Sequence, residues 1–392
     1  MITRVRALLC AASSALSLAA VSSALADPLG TPAMTPPLSA NPNPVSADGG
    51  PLGKIYVTGA FTGLGMVQTD PVPGDHDAIG DASNAQVFIQ TTSGPVQFFV
   101  EAGGYSFPIL GTPYTHFGPT TVNTYSAVPV AFVKFQPTAE VSIQVGKLPT
   151  LIGAEYAFTF QNMNIERGLL WNQEPVVSDG VQVNFTKGKV TASASLNDGF
   201  YSGRYNWLSG LFTYALSTKD SFTVAGGGSL SSYDRSSPTT PLLQNNGAIL
   251  NLIWTHTEGP WVVTPYFQYT RAYRVMAGGV QYAGADTWSG AVLAKYNFNS
   301  QFSLAGRVEY LASTSSSCPP DTETCAQSNL LYGPGSRALS LTLTPTWQKG
   351  VFFVRAEGSY VDVMDAADGA AFGATGNTHS QFRAAVETGI LF

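Results

Sequence analysis

The stretch "HSQFRAAVETGILF" (379–392) places Phe382, Ala384, Val386, Thr388, Ile390 and Phe392 at even positions. Gln381, Arg383, Ala385, Glu387, Gly389 and Leu391 take the odd ones. Successive strand side chains point to opposite faces, so this period of two describes a β-strand with one apolar and one polar face. A helix would scatter the same residues without a stripe. Two-faced strands occur in soluble sandwiches and in membrane barrels, and the rest of the chain distinguishes the two.

The alternation recurs from Gly53 onward. Sixteen segments carry it: 54–67, 84–92, 95–104, 126–136, 139–147, 178–186, 189–197, 206–217, 220–231, 247–257, 261–271, 286–297, 301–312, 336–347, 351–362 and 379–392. Each is about the length of a tilted membrane strand. The connections alternate in length. Seven are tight ("TSGP", "QPTA", "TKGK", "STKD", "TEGP", "NFNS", "QKG"), and between them lie eight long loops rich in Gly, Pro, Ser, Asn and Asp. An all-β, antiparallel up-and-down transmembrane barrel of about sixteen strands requires this arrangement, with short periplasmic turns and long extracellular loops. No apolar run of 18 residues follows the N-terminal segment, which excludes a transmembrane helix there.

The strand faces agree. Arg307 and Glu309 oppose Phe302, Leu304, Val308 and Tyr310, and Arg355 and Glu357 oppose Phe352, Val354 and Tyr360. Lys134 opposes Val133 and Phe135, and Glu140 opposes Val141, Ile143 and Val145. Sixteen strands enclose a lumen too wide for their own side chains to fill. Lys134, Glu140, Arg307, Glu309, Arg355, Glu357, Arg383 and Glu387 are therefore expected to line a hydrated pore wall. A charge facing lipid near the midplane would instead cost about 2–4 kcal/mol. Phe382, Phe392, Trp261, Tyr269, Trp288 and Phe298 suit two interfacial girdles. Pro129, Pro265 and Pro345 interrupt this pattern, since proline cannot donate to a ladder.

Residues 1–26 read as a cleaved secretory signal: Arg4 and Arg6, then an apolar stretch, then Ala24-Leu25-Ala26. The rival, a membrane anchor, fits less well because Ala and Ser dominate. Residues 27–52 are rich in Pro and lack periodicity, as in a flexible periplasmic leader. Removing Arg4 and Arg6 with the signal takes the 19 basic residues to 17, against 25 acidic, for a net charge of −8. That argues against a nucleic-acid partner. Charged residues are only 11% of the chain, low for a soluble protein. In an exported chain, the close pair Cys318 and Cys325 suggests a disulfide rather than a metal site.

The segment "GKLPTLIGAEYAFTFQNMNIERGLLWNQEPVVSDGVQVNF" (146–185), with the whole-chain pattern and Phe392, resembles the OmpL-like outer-membrane β-barrel porins of Gram-negative bacteria. The most specific part is Gly153-Ala154-Glu155, Asn164, Arg167 and "EPVVSDGVQV". The resemblance implies a channel in the outer membrane for passive diffusion of ions and small hydrophilic solutes, without a cofactor. It also makes Phe392 a signal for the outer-membrane assembly machinery. Lipid and lipopolysaccharide would surround such a barrel, and its size is compatible with a homotrimer.

The third long loop, 148–177, is the longest and carries Glu155, Glu166, Arg167 and Glu174 among aromatics. Thirty ordered residues need a surface to pack on, and the lumen wall offers one. By fold analogy with sixteen-stranded porins, the loop is expected to narrow the pore and set opposed charges across it. The alternative is an exterior loop with solvated charges. "GAFTGLG" (59–65) lies in a strand and is no dinucleotide site. "DHDAIGD" (75–81) and "DVMDAAD" (362–368) place carboxylates in exterior loops, where divalent cations could bridge to lipopolysaccharide. The rival functions are a barrel enzyme, with His76, Asp75 and Asp77 as its nearest approach to a catalytic set, and a secreted carbohydrate-binding β-protein.

Overall fold

The structure, a computed structural model, describes residues 38–316, 318 and 324–392. The signal segment and most of the leader lie outside the described residues. Sixteen antiparallel strands follow in order: β1 Lys54–Gln68, β2 Ala78–Thr91, β3 Val96–Tyr105, β4 Val130–Phe135, β5 Val141–Pro149, β6 Val177–Lys187, β7 Val190–Asn197 and β8 Trp207–Ala215. They continue as β9 Asp220–Ser229, β10 Gly247–Glu258, β11 Trp261–Ala272, β12 Ala285–Asn297, β13 Phe302–Ser313, β14 Arg337–Lys349, β15 Phe352–Met364 and β16 Ser380–Leu391. Each pairs with its sequence neighbour, and β1 pairs with β16 from Ala60↔Leu391 to Gln68↔Arg383. The sheet closes, which removes the free edges a membrane cannot satisfy. No helix among the described residues is long and apolar enough to cross a membrane.

All seven tight turns lie at one end and all eight long loops at the other, as the length alternation predicts. The main boundary difference is β2, which starts six residues before the predicted segment, so Asp81 of "DHDAIGD" belongs to a strand. The prolines resolve into two cases. Pro129 precedes β4. The β10–β11 register has a gap between Ile253↔Tyr266 and His256↔Val263, at Pro265. The β14–β15 register has one between Leu343↔Gly358 and Thr346↔Arg355, at Pro345. Each ladder opens locally where the missing N–H would have bonded.

Outward positions are apolar and exposed, among them Phe61, Val133, Val308, Leu341, Val354 and Val386. Aromatic clusters mark two levels: Trp261, Tyr296 and Phe298 near the turns, and Tyr269 with Trp288 near the loops. Phe392 also faces outward, half-buried, and exchanges both backbone hydrogen bonds with Gly59. On the loop side, Val275–Ala277, Val280–Tyr282 and Cys325–Ala326 make a small separate sheet, and a disulfide joins Cys325 to Cys318. The described end of the leader has more structure than its composition suggests. Val45–Asp48 forms an antiparallel pair with Lys54–Val57.

Candidate functional site: the third loop inside the barrel

Residues 150–176 connect β5 to β6 and turn inward. Nearly every residue from Ile152 to Val176 is buried, including Glu155, Glu166, Arg167 and Glu174. The loop has two sides. Phe158 and Phe160 pack in a cluster with Phe88, Phe99 and Phe132 from the inner faces of β2, β3 and β4. Tyr105, Phe107, Tyr125 and Trp171 extend it toward the loop end. Burying the two phenylalanines contributes about 1.5–3 kcal/mol each toward offsetting the loop's ordering entropy.

The other side is polar and meets β13 to β16. Arg307 on β13 pairs with Glu155 of the loop and, at 3.2 Å, with Glu309 two residues on. Its guanidinium also donates to the Glu166 carbonyl, 2.8 Å. Arg383 on β16 pairs with Glu166 at 2.8 Å. Arg355 on β15 pairs with Glu387 on β16 and donates to the Asn162 carbonyl, 3.0 Å. Glu357 accepts the backbone N–H groups of Ile165 and Glu166 and the Thr344 hydroxyl. Thr159 donates to Glu387, and Glu174 accepts the Tyr266 hydroxyl at 2.7 Å.

Two glycines permit this approach. A Cβ on Gly168 would lie 2.1 Å from a Glu309 carboxylate oxygen, and one on Gly153 would lie 1.8 Å from a Glu174 oxygen. Gly153 also sits at φ +90, where a side chain is strained.

Burial sets the charge states of the loop. The Glu174 carboxyl is pushed up to about 8 by burial, against the Tyr266 hydrogen bond. Burial also raises Glu155, with Arg307 opposing. Burial lowers Arg167 to about 10. These are the expected directions for charged groups removed from water.

The structure thus brings together eight of the predicted site residues: Glu155 and Glu166 from the loop with Arg307, Glu309, Arg355, Glu357, Arg383 and Glu387 from the wall. Two expectations are corrected. The wall charges on β13 to β16 are not hydrated; they are covered, because the loop supplies partners that water would otherwise provide. Arg167 is held by backbone carbonyls rather than by an ion pair to a wall carboxylate. Its guanidinium donates to the carbonyls of Pro108 and Ile165, and its backbone N–H and carbonyl bond to Pro108 and Leu110, tying the second loop to the third. Lys134 on β4 and Glu140 beside the turn into β5 stand apart from the cluster. Glu174 lies at the loop's far end, toward Tyr266.

Sequence reasoning missed several participants. Asn84, Tyr266 and Gln268 bond the loop from β2 and β11. Tyr266 and Gln268 are inward positions in a regular alternation, so nothing local marks them, and Asn84 turns inward beside Ser83 at an irregularity in the β1–β2 register that no local pattern announces. The Phe158 and Phe160 anchors had a signal: alternating aromatics inside a loop have no reason to face water. Asp75 was also misplaced. Its carboxylate turns in, accepts Gln68 and the backbone of His76 and Tyr114, and lies 4.0 Å from Arg383.

A closed barrel with an apolar outside and a charged loop folded into its lumen defines the class of outer-membrane channel proteins. The family described as "Putative beta-barrel porin-2, OmpL-like" matches residues 55–392, and the chain belongs to it. It is an outer-membrane porin. Solved structures of the same fold include an anion-selective porin from Comamonas acidovorans, 10% identical, matching 86% of this chain and 99% of that one at TM-score 0.57. OmpF of Salmonella typhi, in complex with daunomycin, is 12% identical over 89% and 100% of the chains at 0.56. The trimer form of in-vitro folded OmpT from Vibrio cholerae is 11% identical over 86% and 99% at 0.55. No curated protein matches the sequence.

Proposed function

We propose that this porin is a passive, non-enzymatic diffusion channel for ions and small hydrophilic solutes, with the third loop as its constriction. One observation carries the reading. The loop is anchored at several places round the wall: by Phe158 and Phe160 toward β2–β4, by Glu155 and Glu166 to Arg307 and Arg383 on β13 and β16, and by Glu174 and Leu170 to Tyr266 and Gln268 on β11. A segment held round the lumen in this way sets the width of the path beside it, and its fixed charges set the field across that path. Export through a cleaved signal at residues 1–26, a homotrimeric state and Phe392 as an assembly signal complete the proposal. The trimer form of OmpT, which shares the fold, is compatible with the oligomer.

Purified, heat-modifiable protein in a planar bilayer should insert in discrete conductance steps. A folded preparation that never gives steps refutes the channel. Crosslinking in detergent should yield a band of three chains; a monomer band alone refutes the trimer.

A further inference from the structure

Between the third loop and the turns, much of the inward wall carries hydroxyls. On β8 to β14 they include Thr213, Thr223, Thr255, Thr264, Ser303 and Thr346. Two cations stand at this level, Lys134 near the turn end of β4 and Lys295 near the turn end of β12. These strands are eight apart in a closed sheet of sixteen, so the two lysines lie halfway round the wall from each other. The inward carboxylates are elsewhere and have partners. Glu155 and Glu309 pair with Arg307, Glu166 with Arg383 and Glu387 with Arg355, and Glu357 accepts two backbone N–H groups. Glu101 lies against Ala157 and Phe158 of the loop and accepts the Gln86 amide, 2.7 Å. Glu140 stands at the rim, beside a turn.

Lys295 differs from these charges. Its cross-strand neighbours are Val262 on β11 and Ala305 on β13. Ala305 belongs, with Ile253, Tyr266, Leu293 and Met163 of the loop, to an apolar cluster against which Val262 packs. Along β13, Arg307 lies between Ala305 and Glu309 and holds both Glu309 and Glu155. Lys295 is 5% exposed, and among the described residues its ammonium has no hydrogen bond and no ion pair. A lysine stem lies along apolar surface and presents its charge to water, and the water here is that of the lumen. Keeping a largely buried ammonium without a partner costs free energy that a neutral side chain would not.

We infer that Lys295 is a binding site for a small oxyanion on the periplasmic side of the third loop, occupied as the anion passes. The inference rests on the porin reading above and gives that path a solute class. Lysine holds phosphate as a point charge, and charged groups on a pore wall favour ions of opposite sign. Thr264 and Ser303, diagonal to Lys295 on the neighbouring strands, add hydroxyl donors, and Lys134 adds positive potential from the other wall.

Inorganic phosphate, added to the wild type in a planar bilayer at constant KCl, should lower the unit current and saturate as its concentration rises. Lys295→Gln should lose this block and shift the reversal potential in a KCl gradient toward that of potassium, while Lys295→Arg keeps the wild-type behaviour. Each variant is first checked for heat-modifiable folding, and Lys295→Gln should not lower the temperature of that transition, since no partner depends on the ammonium. Lys349→Gln, at an exposed position beside a turn, should match the wild type. Wild-type current indifferent to phosphate, or a block equally strong in Lys295→Gln, overturns the site and leaves the porin reading standing. A shift in Lys349→Gln as large as in Lys295→Gln reduces the effect to surface charge and overturns the site as well. No conductance steps from folded wild type overturn the porin reading and the site with it.

Discussion

The side chains that hold the third loop inside the barrel include four arginines and the carboxylates around them. Arg307 is the sharpest case, because Glu155 and Glu309 both depend on it and all three are buried. Removing one partner of a buried pair costs about 3–5 kcal/mol, since the other charge is left uncompensated. Arg307→Ala should therefore undock the loop without unfolding the barrel. The readouts are new protease cleavage within 150–176 and a noisier, larger conductance; an unchanged cleavage pattern contradicts the pairing. Glu174 supplies a pH dependence. Its carboxyl titrates near 4.5 in a free loop and near 8 when docked, so the docked loop binds the extra proton. Docking is then fully supported below about pH 4.5 and weakens as pH rises through 8, with the Glu155 shift acting in the same direction. Loop cleavage should increase from pH 6 to pH 9 in the wild type and change less in Glu174→Gln. Equal pH dependence in both would contradict the assignment.

At the scale of the element, the third loop is held by an aromatic side and an ionic side, and each should be separable. Truncating a buried phenylalanine costs about 3–5 kcal/mol. Phe158→Ala with Phe160→Ala should release the β2–β4 side while Glu155 and Glu166 keep the other. Salt distinguishes the two anchors: buried pairs are screened little, so 1 M salt alone should leave the wild-type loop protected. Loss of protection in salt, without any mutation, would show that the charges are exposed rather than covered. The loop is also where the sequence is least readable. Glu155, Glu166 and the aromatics are visible as unusual residues for a loop. Their partners, such as Arg383 more than two hundred positions away, are set by closure of the sheet, which no local pattern encodes.

For the whole molecule, the strands were legible almost entirely. Their period of two and the alternation of short turns with long loops come from one physical source, a closed sheet with lipid outside. The final strand shows it: Phe382 and Val386 face out, Arg383 and Glu387 face in, and β1 pairs along its length. What the pattern hid was the state of the interior. Polar inward faces are equally compatible with water and with a loop that supplies polar partners, and only the third dimension chooses between them. Outward charge is the complementary prediction for the barrel as a whole. Val308→Arg, near mid-height, should lower stability by about 2–4 kcal/mol, read as a lower temperature for heat modification in detergent or lipid; no change would put that face in water.

The central claim is that the third loop narrows a conducting lumen. It is tested most directly by the unit conductance of the wild type against a variant lacking residues 155–172, in the same planar bilayer and salt. The account predicts a larger unit step for the deletion. An equal or smaller step, from a variant that folds, would contradict it.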